Sequence, residues 1–339
     1  MTGNQFSRRT ALVAGLAAAG ALVAAGPAAA AASGEGYGPV LHGHGEDLHP
    51  ESAGWDPAGR RFVISSLHQG TVSTVGPDGV ARTLVADPEL VSVVGLKVDA
   101  ARGRVLACNA DPAGRSVRST AATQGRVSGL GCYDLAGGRR RWYTDLAAVA
   151  GDGGPHLAND VVVAEDGTAY VTDSFAPVVY RVGVDGRAEV LLRLDVIGAG
   201  PGQFGLNGIV LQGRQLLVGT YATGAVWRLP LDRAGRVRPQ DVRPVIADRR
   251  LLGLDGLLGA GPGRILGVTN TLGAATTDQL VELRSTDGWR TALPTVRSWP
   301  DPAPTAVTRG PGGRHYVLSG RMDVLLGGGL SEEFTLRRI

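Results

Sequence analysis

A chain of 339 residues with 52 Gly, 19 Pro and only 5% aromatic residues is rich in turn formers, which points to many short strands rather than long helices. Its 34 basic residues, nearly all Arg, include Arg8 and Arg9 in a segment expected to be removed, leaving 32 basic against 31 acidic residues. That near-neutral balance excludes an electrostatic footprint for nucleic acid. Beyond residue 35 no stretch combines helical periodicity with helix length and caps, and none is long and apolar enough to span a membrane.

The N-terminus reads Ser7-Arg8-Arg9-Thr10-Ala11-Leu12, then an Ala- and Gly-rich run to Ala25, Pro27 and small residues to Ala32. This is the pattern of a twin-arginine export signal over residues 1–32, with one domain expected over 33–339. An uncleaved anchor is the poorer alternative, because Ala gains little on leaving water. The mature protein is therefore expected outside the cytoplasm without stable membrane association. Cys108 and Cys132 fall on successive predicted strands, compatible with a cross-strand disulfide or with two buried thiols, and neither has a metal-type spacing.

In chain order, units of four strands recur at the 40–50-residue period of propeller blades. The first unit has strands at 61–65, 71–75 and 80–85. The second uses 94–99, 104–109, 130–135 and 140–146, with a long Ser-, Thr- and Gly-rich loop at 110–124 that reads as a lid or a mobile insertion. The third opens with the hairpin His156 to Ser174, turning at Glu165-Asp166-Gly167, and continues through 178–182 and 188–194. The fourth begins at Leu206 and ends with 242–247, and the fifth begins at Leu254 and ends near 295–299. The sixth lacks one strand, which Tyr37 to His42 supplies from the N-terminus. The expected fold is an all-β, six-bladed β-propeller closed by strands from both termini, an arrangement that removes exposed sheet edges.

Alignment of the units on the turn glycines Gly59, Gly103, Gly167, Gly263 and Gly313, with Gly213 in the shorter fourth unit, gives a register for the innermost strands. Eight residues earlier stand Glu51, Gly95, Asn159, Asp255 and Thr305, with Asn207 as the fourth unit's equivalent. These positions face one axis at one height. Four carry oxygen donors, Glu51, Asn159, Asn207 and Asp255, a set suited to a hard divalent cation such as Ca²⁺, with waters completing the shell. The absence of Cys and His at these positions argues against zinc or copper. The alternative is that Asn and Asp merely complete turns at strand starts. His68, Asp173, Tyr221 and Asn270 lie in loops expected on the same face and are candidate walls of a substrate pocket.

Glu51-Ser-Ala-Gly-Trp-Asp-Pro57, Asn159-Asp160, Asn207-Gly208 and Asp255-Gly256 together resemble the regucalcin/gluconolactonase family of six-bladed propellers, and more distantly diisopropyl fluorophosphatase and the paraoxonases. The resemblance spans about Pro50 to Leu318. It implies a calcium-dependent hydrolase of sugar lactones or related cyclic esters, with metal ligands Glu51, Asn159, Asn207 and Asp255. It further implies Asp255 as general base and Asp160 as a holder of substrate hydroxyls. One departure stands out: Leu157 replaces the Arg that aldonolactone enzymes often carry two residues before the Asn-Asp pair, with His156 beside it as a substitute donor or base. The expected function is an exported calcium-dependent lactone or cyclic-ester hydrolase acting on a small molecule. The alternatives are a phosphotriesterase or arylesterase on the same metal, and a non-catalytic ligand-binding propeller with structural calcium.

Overall fold

The computed structural model describes residues 36–339, so the expected export signal at 1–32 lies outside the described residues. Six four-stranded antiparallel sheets form the blades of a propeller. The innermost strands are Ala53–Asp56, Ser92–Asp99, Ala158–Val163, Leu206–Leu211, Leu254–Gly261 and Pro304–Arg309. The sixth sheet is completed by Val40–His44, which pairs with Glu333–Arg338 from Val40 opposite Arg337 to His44 opposite Glu333. The closing strand thus comes from the N-terminus as expected, shifted a few residues later. Tyr37 instead packs its ring edge-on against Trp55 and Phe62, both at 5.5 Å.

Period-two alternation places successive residues of a strand on opposite faces, and here both faces are buried. Phe62 and Ile64 turn toward blade six while Val63 turns toward blade two. Leu216 and Val218 likewise join blade three, and Leu217 joins blade five. One apolar cluster fills each of the six blade interfaces, so the strands read as nearly continuous apolar runs. Cys108 and Cys132 sit in the cluster between blades two and three as buried free thiols. Cys108 is opposite Leu130 and Cys132 opposite Leu106, so the two cysteines are not cross-strand partners.

Two local departures have simple causes. The outer strand of blade four contracts from the expected 242–247 to Arg243–Pro244: Val245 N–H still reaches the Val226 carbonyl at 2.8 Å, but Ile246 turns away to bond Arg290 and Ala292 beside blade five. Among the described residues α-helix is confined to two short segments, Leu146–Ala150 and Met322–Leu326, with a few single 3-10 turns elsewhere. Among the described residues no helix is long and apolar enough to cross a membrane.

Candidate functional site

The inner strands do not run smoothly past the ring. In five blades the pairing slips, between Val93 and Leu96, Ala158 and Val161, Leu206 and Ile209, Leu254 and Leu257, and Pro304 and Ala306. Each slip brackets the ring position of its blade. A β-bulge of this kind re-aims a side chain out of the ladder, which is how one level of every strand turns into the channel. In blade one the ladder starts only at Ala53, and Glu51 precedes it with its N–H and that of Ser52 held on Ser65 Oγ at 3.1 and 2.9 Å. The result is a cavity of about 90 Å³ whose lining includes Glu51, Asn159, Asn207, Asp255 and Thr305.

Glycine explains why blade two contributes no side chain. A Cβ on Gly95 would lie 2.1 Å from the carbonyl oxygen of Asn159, so the backbone of the neighbouring ring residue fills that space. Gly208 and Gly256 do the same for Asp255 and Thr305, with Cβ-to-carbonyl distances of 2.7 and 2.6 Å, which is the physical content of the Asn-Gly and Asp-Gly pairs. Gly95→Ala is expected to destabilise the fold by about 1–3 kcal/mol through overpacking against main chain that cannot yield. A urea melt of the variant checks this.

The ring is short of positive charge and of hydrogen-bond donors. Asn159 Oδ1, Asn207 Oδ1 and Asp255 Oδ1 are buried without any hydrogen-bond partner, and among the described residues the Glu51 carboxylate has none either. Burial, reinforced by Asp255 and Asp160, pushes the Glu51 pKa well above the usual carboxyl range. Burial likewise raises Asp255 to about 7, with Asp160 adding to it and the Asn270 and Asn207 amides opposing. Orphaned oxygens facing one another carry a desolvation cost that a divalent cation removes. The donor set, two carboxylates and two amides with no nearby thiolate or imidazole, fits a hard oxygen-seeking ion. Among the described residues no group of three or more His, Cys, Asp or Glu is placed to hold a metal ion by itself, so the amide oxygens are indispensable to this fit.

Asn270 and Tyr221 fix Asp255. Asn270 Nδ2 donates to Asp255 Oδ2 at 2.6 Å and to the Pro304 carbonyl at 2.9 Å. The Tyr221 hydroxyl donates to Asn270 Oδ1 at 2.6 Å and accepts the Gly273 N–H at 2.9 Å. Tyr221 therefore lines the cavity with its ring while its hydroxyl is spent on the relay, and Asn270 lies behind Asp255 rather than in the wall.

Other expected pocket residues sit elsewhere. Asp160 belongs to the opposite side of the ring: its Oδ1 accepts the Val161 N–H at 2.8 Å and its Oδ2 the Ile209 N–H at 3.1 Å, stitching blade three to blade four. His68 lines neither this cavity nor the channel below it, and its Nδ1 is bonded to the Arg115 carbonyl, anchoring the long loop. His156 and Asp173 are buried behind the wall. Asp173 Oδ1 accepts the N–H groups of Leu157, Phe175 and Ala176 at 2.9, 3.0 and 3.0 Å. Its Oδ2 takes His156 Nδ1 at 2.7 Å and the Tyr180 hydroxyl at 2.9 Å, while His156 Nε2 reaches Asp152 at 2.8 Å. Both ring nitrogens being engaged, His156 has nothing left to offer a substrate, and the corrected role of this group is to hold the loop carrying Leu157.

Burial lowers the His156 pKa, but the two flanking carboxylates outweigh it and the net shift is upward. A histidine raised in the folded state stabilises fully below its ordinary pKa of about 6.5, and that contribution fades as pH climbs through the folded value. The melting temperature of the wild type should therefore fall, relative to His156→Gln, as the pH rises above about 6.5 and through the raised folded-state value. Parallel profiles for the two proteins would contradict the charged assignment.

Apart from Leu157, the remaining wall was not foreseen. Leu67, Val94, Leu157, Phe204, Leu272 and Met322, with Pro112, Ala113 and Leu326, make an apolar cup above the ring. Several of them form their own packed cluster, separate from the blade interfaces. The 110–124 loop is part of this cup rather than a loose insertion. Asp111 folds it by accepting Gly114 N–H, Ser119 Oγ and Thr123 Oγ1 at 3.0, 2.9 and 2.7 Å, and Arg115 Nη2 donates to the Leu326 carbonyl at 3.2 Å. The one available signal was large apolar side chains placed in otherwise polar loops.

No family model matches the sequence, and no curated protein matches it. Solved structures do. The major allergen Mala s 1 of Malassezia sympodialis superposes with a TM-score of 0.68 at 18% identity, over 89% of this chain and 96% of that one. The chain shares its fold. A gluconolactonase from Xanthomonas campestris gives 0.57 at 19% identity, over 88% and 89% of the two chains. Luciferin-regenerating enzyme gives 0.59 at 14%, over 88% and 95%. At these identities the agreement establishes the architecture, and the chemistry has to be argued from the site.

Proposed function

We propose that the protein is an exported, divalent-cation-dependent hydrolase, with calcium the fitting ion, acting on a lactone or related ester of apolar character. One observation carries the reading: a ring of partnerless oxygens, Glu51, Asn159, Asn207 and Asp255, forms the floor of an apolar cup. The ring residues would hold the cation, which when bound supplies Lewis-acid polarisation of the carbonyl and stabilisation of developing negative charge. Asp255 is the candidate general base. Asn270 fixes its Oδ2 and leaves Oδ1 open toward the cavity to take the proton of an attacking water. Leu157, Phe204, Leu272 and Met322 desolvate the substrate's body and orient it over the ring. The twin-arginine segment supports export.

The cup has no cationic or hydroxyl side chain free to receive a polyol, which separates this reading from a sugar lactonase. Initial rates on γ-lactones of increasing alkyl length, on a sugar lactone, on aryl esters and on a phosphotriester test it. Each added methylene is expected to raise kcat/KM about fourfold until the cup is full, from ~0.8 kcal/mol per buried CH₂. A preference for the sugar lactone would contradict the assignment. A phosphotriester turned over faster than any lactone would keep the metal and change the reaction.

A further inference from the structure

The oxygen ring divides the central channel, and the hydrolase reading uses only the cup above it. Below the ring lies a second chamber of about 340 Å³, open to solvent where Pro57, Ala100 and Arg309 are exposed. Two residues past the ring position, the inner strands present Ala53, Lys97, Val161, Ile209, Leu257 and Val307, and all six line this chamber. Five are apolar. The sixth is the one Lys of a chain whose other 33 basic residues are Arg.

Lys97 is half-buried, and among the described residues its ammonium makes no hydrogen bond or ion pair. Burial holds its pKa below the ordinary lysine value; Asp160 opposes that shift and Arg309 adds to it. Asp160 does not pair with it, since the two carboxylate oxygens are engaged by the Val161 and Ile209 N–H groups. Arg309, at the mouth, spends Nη2 on the Gly259 carbonyl at 3.0 Å. A desolvated cation without a direct partner is costly; the Asp160 carboxylate, which lines the same chamber, offsets only part of that cost, and an anion seated on the ammonium among the apolar collar residues relieves the rest. The compact ammonium of Lys suits one point contact inside such a collar, where the broad fork of Arg would need several acceptors.

We propose that the lower chamber is a second ligand site, for a small organic monoanion with an apolar body such as a medium-chain carboxylate. Its head sits on Lys97, its tail lies along Val98, Leu258 and Trp55, and Arg309 guides it in at the mouth. The proposal uses none of the cup's apolar wall, although Glu51, Asn159 and Asn207 of the ring line both chambers.

Calorimetric titration of hexanoate and of hexan-1-ol into the purified full-length protein tests it. Hexanoate should bind one to one and hexan-1-ol at least tenfold more weakly. Lys97→Met, which keeps the stem's length and apolar character, should weaken hexanoate at least tenfold. Leu326→Asp, which sets a negative charge at the rim of the upper cup, should leave hexanoate affinity unchanged. A second readout avoids reliance on any variant: reductive ¹³C-methylation labels the one lysine and the α-amino group, and the dimethyl-lysine signal, told apart by its chemical shift, should move with hexanoate and stay put with hexan-1-ol. Absent hexanoate binding, equal binding of the alcohol, affinity kept in Lys97→Met, affinity lost in Leu326→Asp, or an unmoved lysine signal would each overturn the proposal.

Discussion

Asp255→Asn should reduce turnover of the preferred ester by about a thousandfold or more, the combined scale of losing a general base and weakening the ion. The substitution keeps the shape of the side chain, so Asn270 and Tyr221 remain as they are. What disappears is one of the two negative charges of the ring and the oxygen that would take the water's proton. Removing either function alone costs about a hundredfold to ten-thousandfold. The variant should also need far more calcium for half-saturation, and measuring that dependence alongside kcat separates the two roles. Full activity at ordinary calcium would remove Asp255 from both.

Asp173→Ala should be the most damaging substitution away from the ring, lowering stability by about 3–5 kcal/mol, the usual effect of breaking a buried ionic network. Asp173 is wholly buried and receives three backbone N–H groups, a tyrosine hydroxyl and a histidine. Removing it leaves all five without their acceptor, and leaves His156 beside Asp152 alone. Asp173→Asn keeps an oxygen for the three N–H groups and should cost less, so the difference between the two variants measures what the charge adds. Urea denaturation gives both numbers. Equal, small losses would show that the loop carrying Leu157 is held by something else.

The six blades and their ring were readable because strand period and turn position are local properties. Once a glycine fixes the turn, counting back along the strand fixes which residue meets the axis, and Glu51, Asn159, Asn207 and Asp255 do line one cavity. Gly95 was visible at the same position, but its reason, the carbonyl of Asn159 packed against it, belongs to the neighbouring blade. The loop residues were less legible. His156 and Asp173 look like pocket donors in sequence, and only the approach of Asp152 and Tyr180 shows that their polar atoms are already used. The cup is harder still. Its wall comes from loops of several blades and from Met322–Leu326, segments without a shared period, so no alignment of repeats brings Leu157, Phe204 and Met322 together. Lys97 stands two residues past a recognised register position, where its meaning depends on five apolar neighbours from other blades.

Elemental analysis of the purified protein, before and after chelation and coupled to the lactone panel, tests the metal ring most directly. The predicted result is one divalent cation per chain, turnover lost on chelation and restored by calcium, and no bound ion in a variant carrying Asn159→Ala and Asn207→Ala. A metal-free protein that turns over every substrate at its full rate would contradict it.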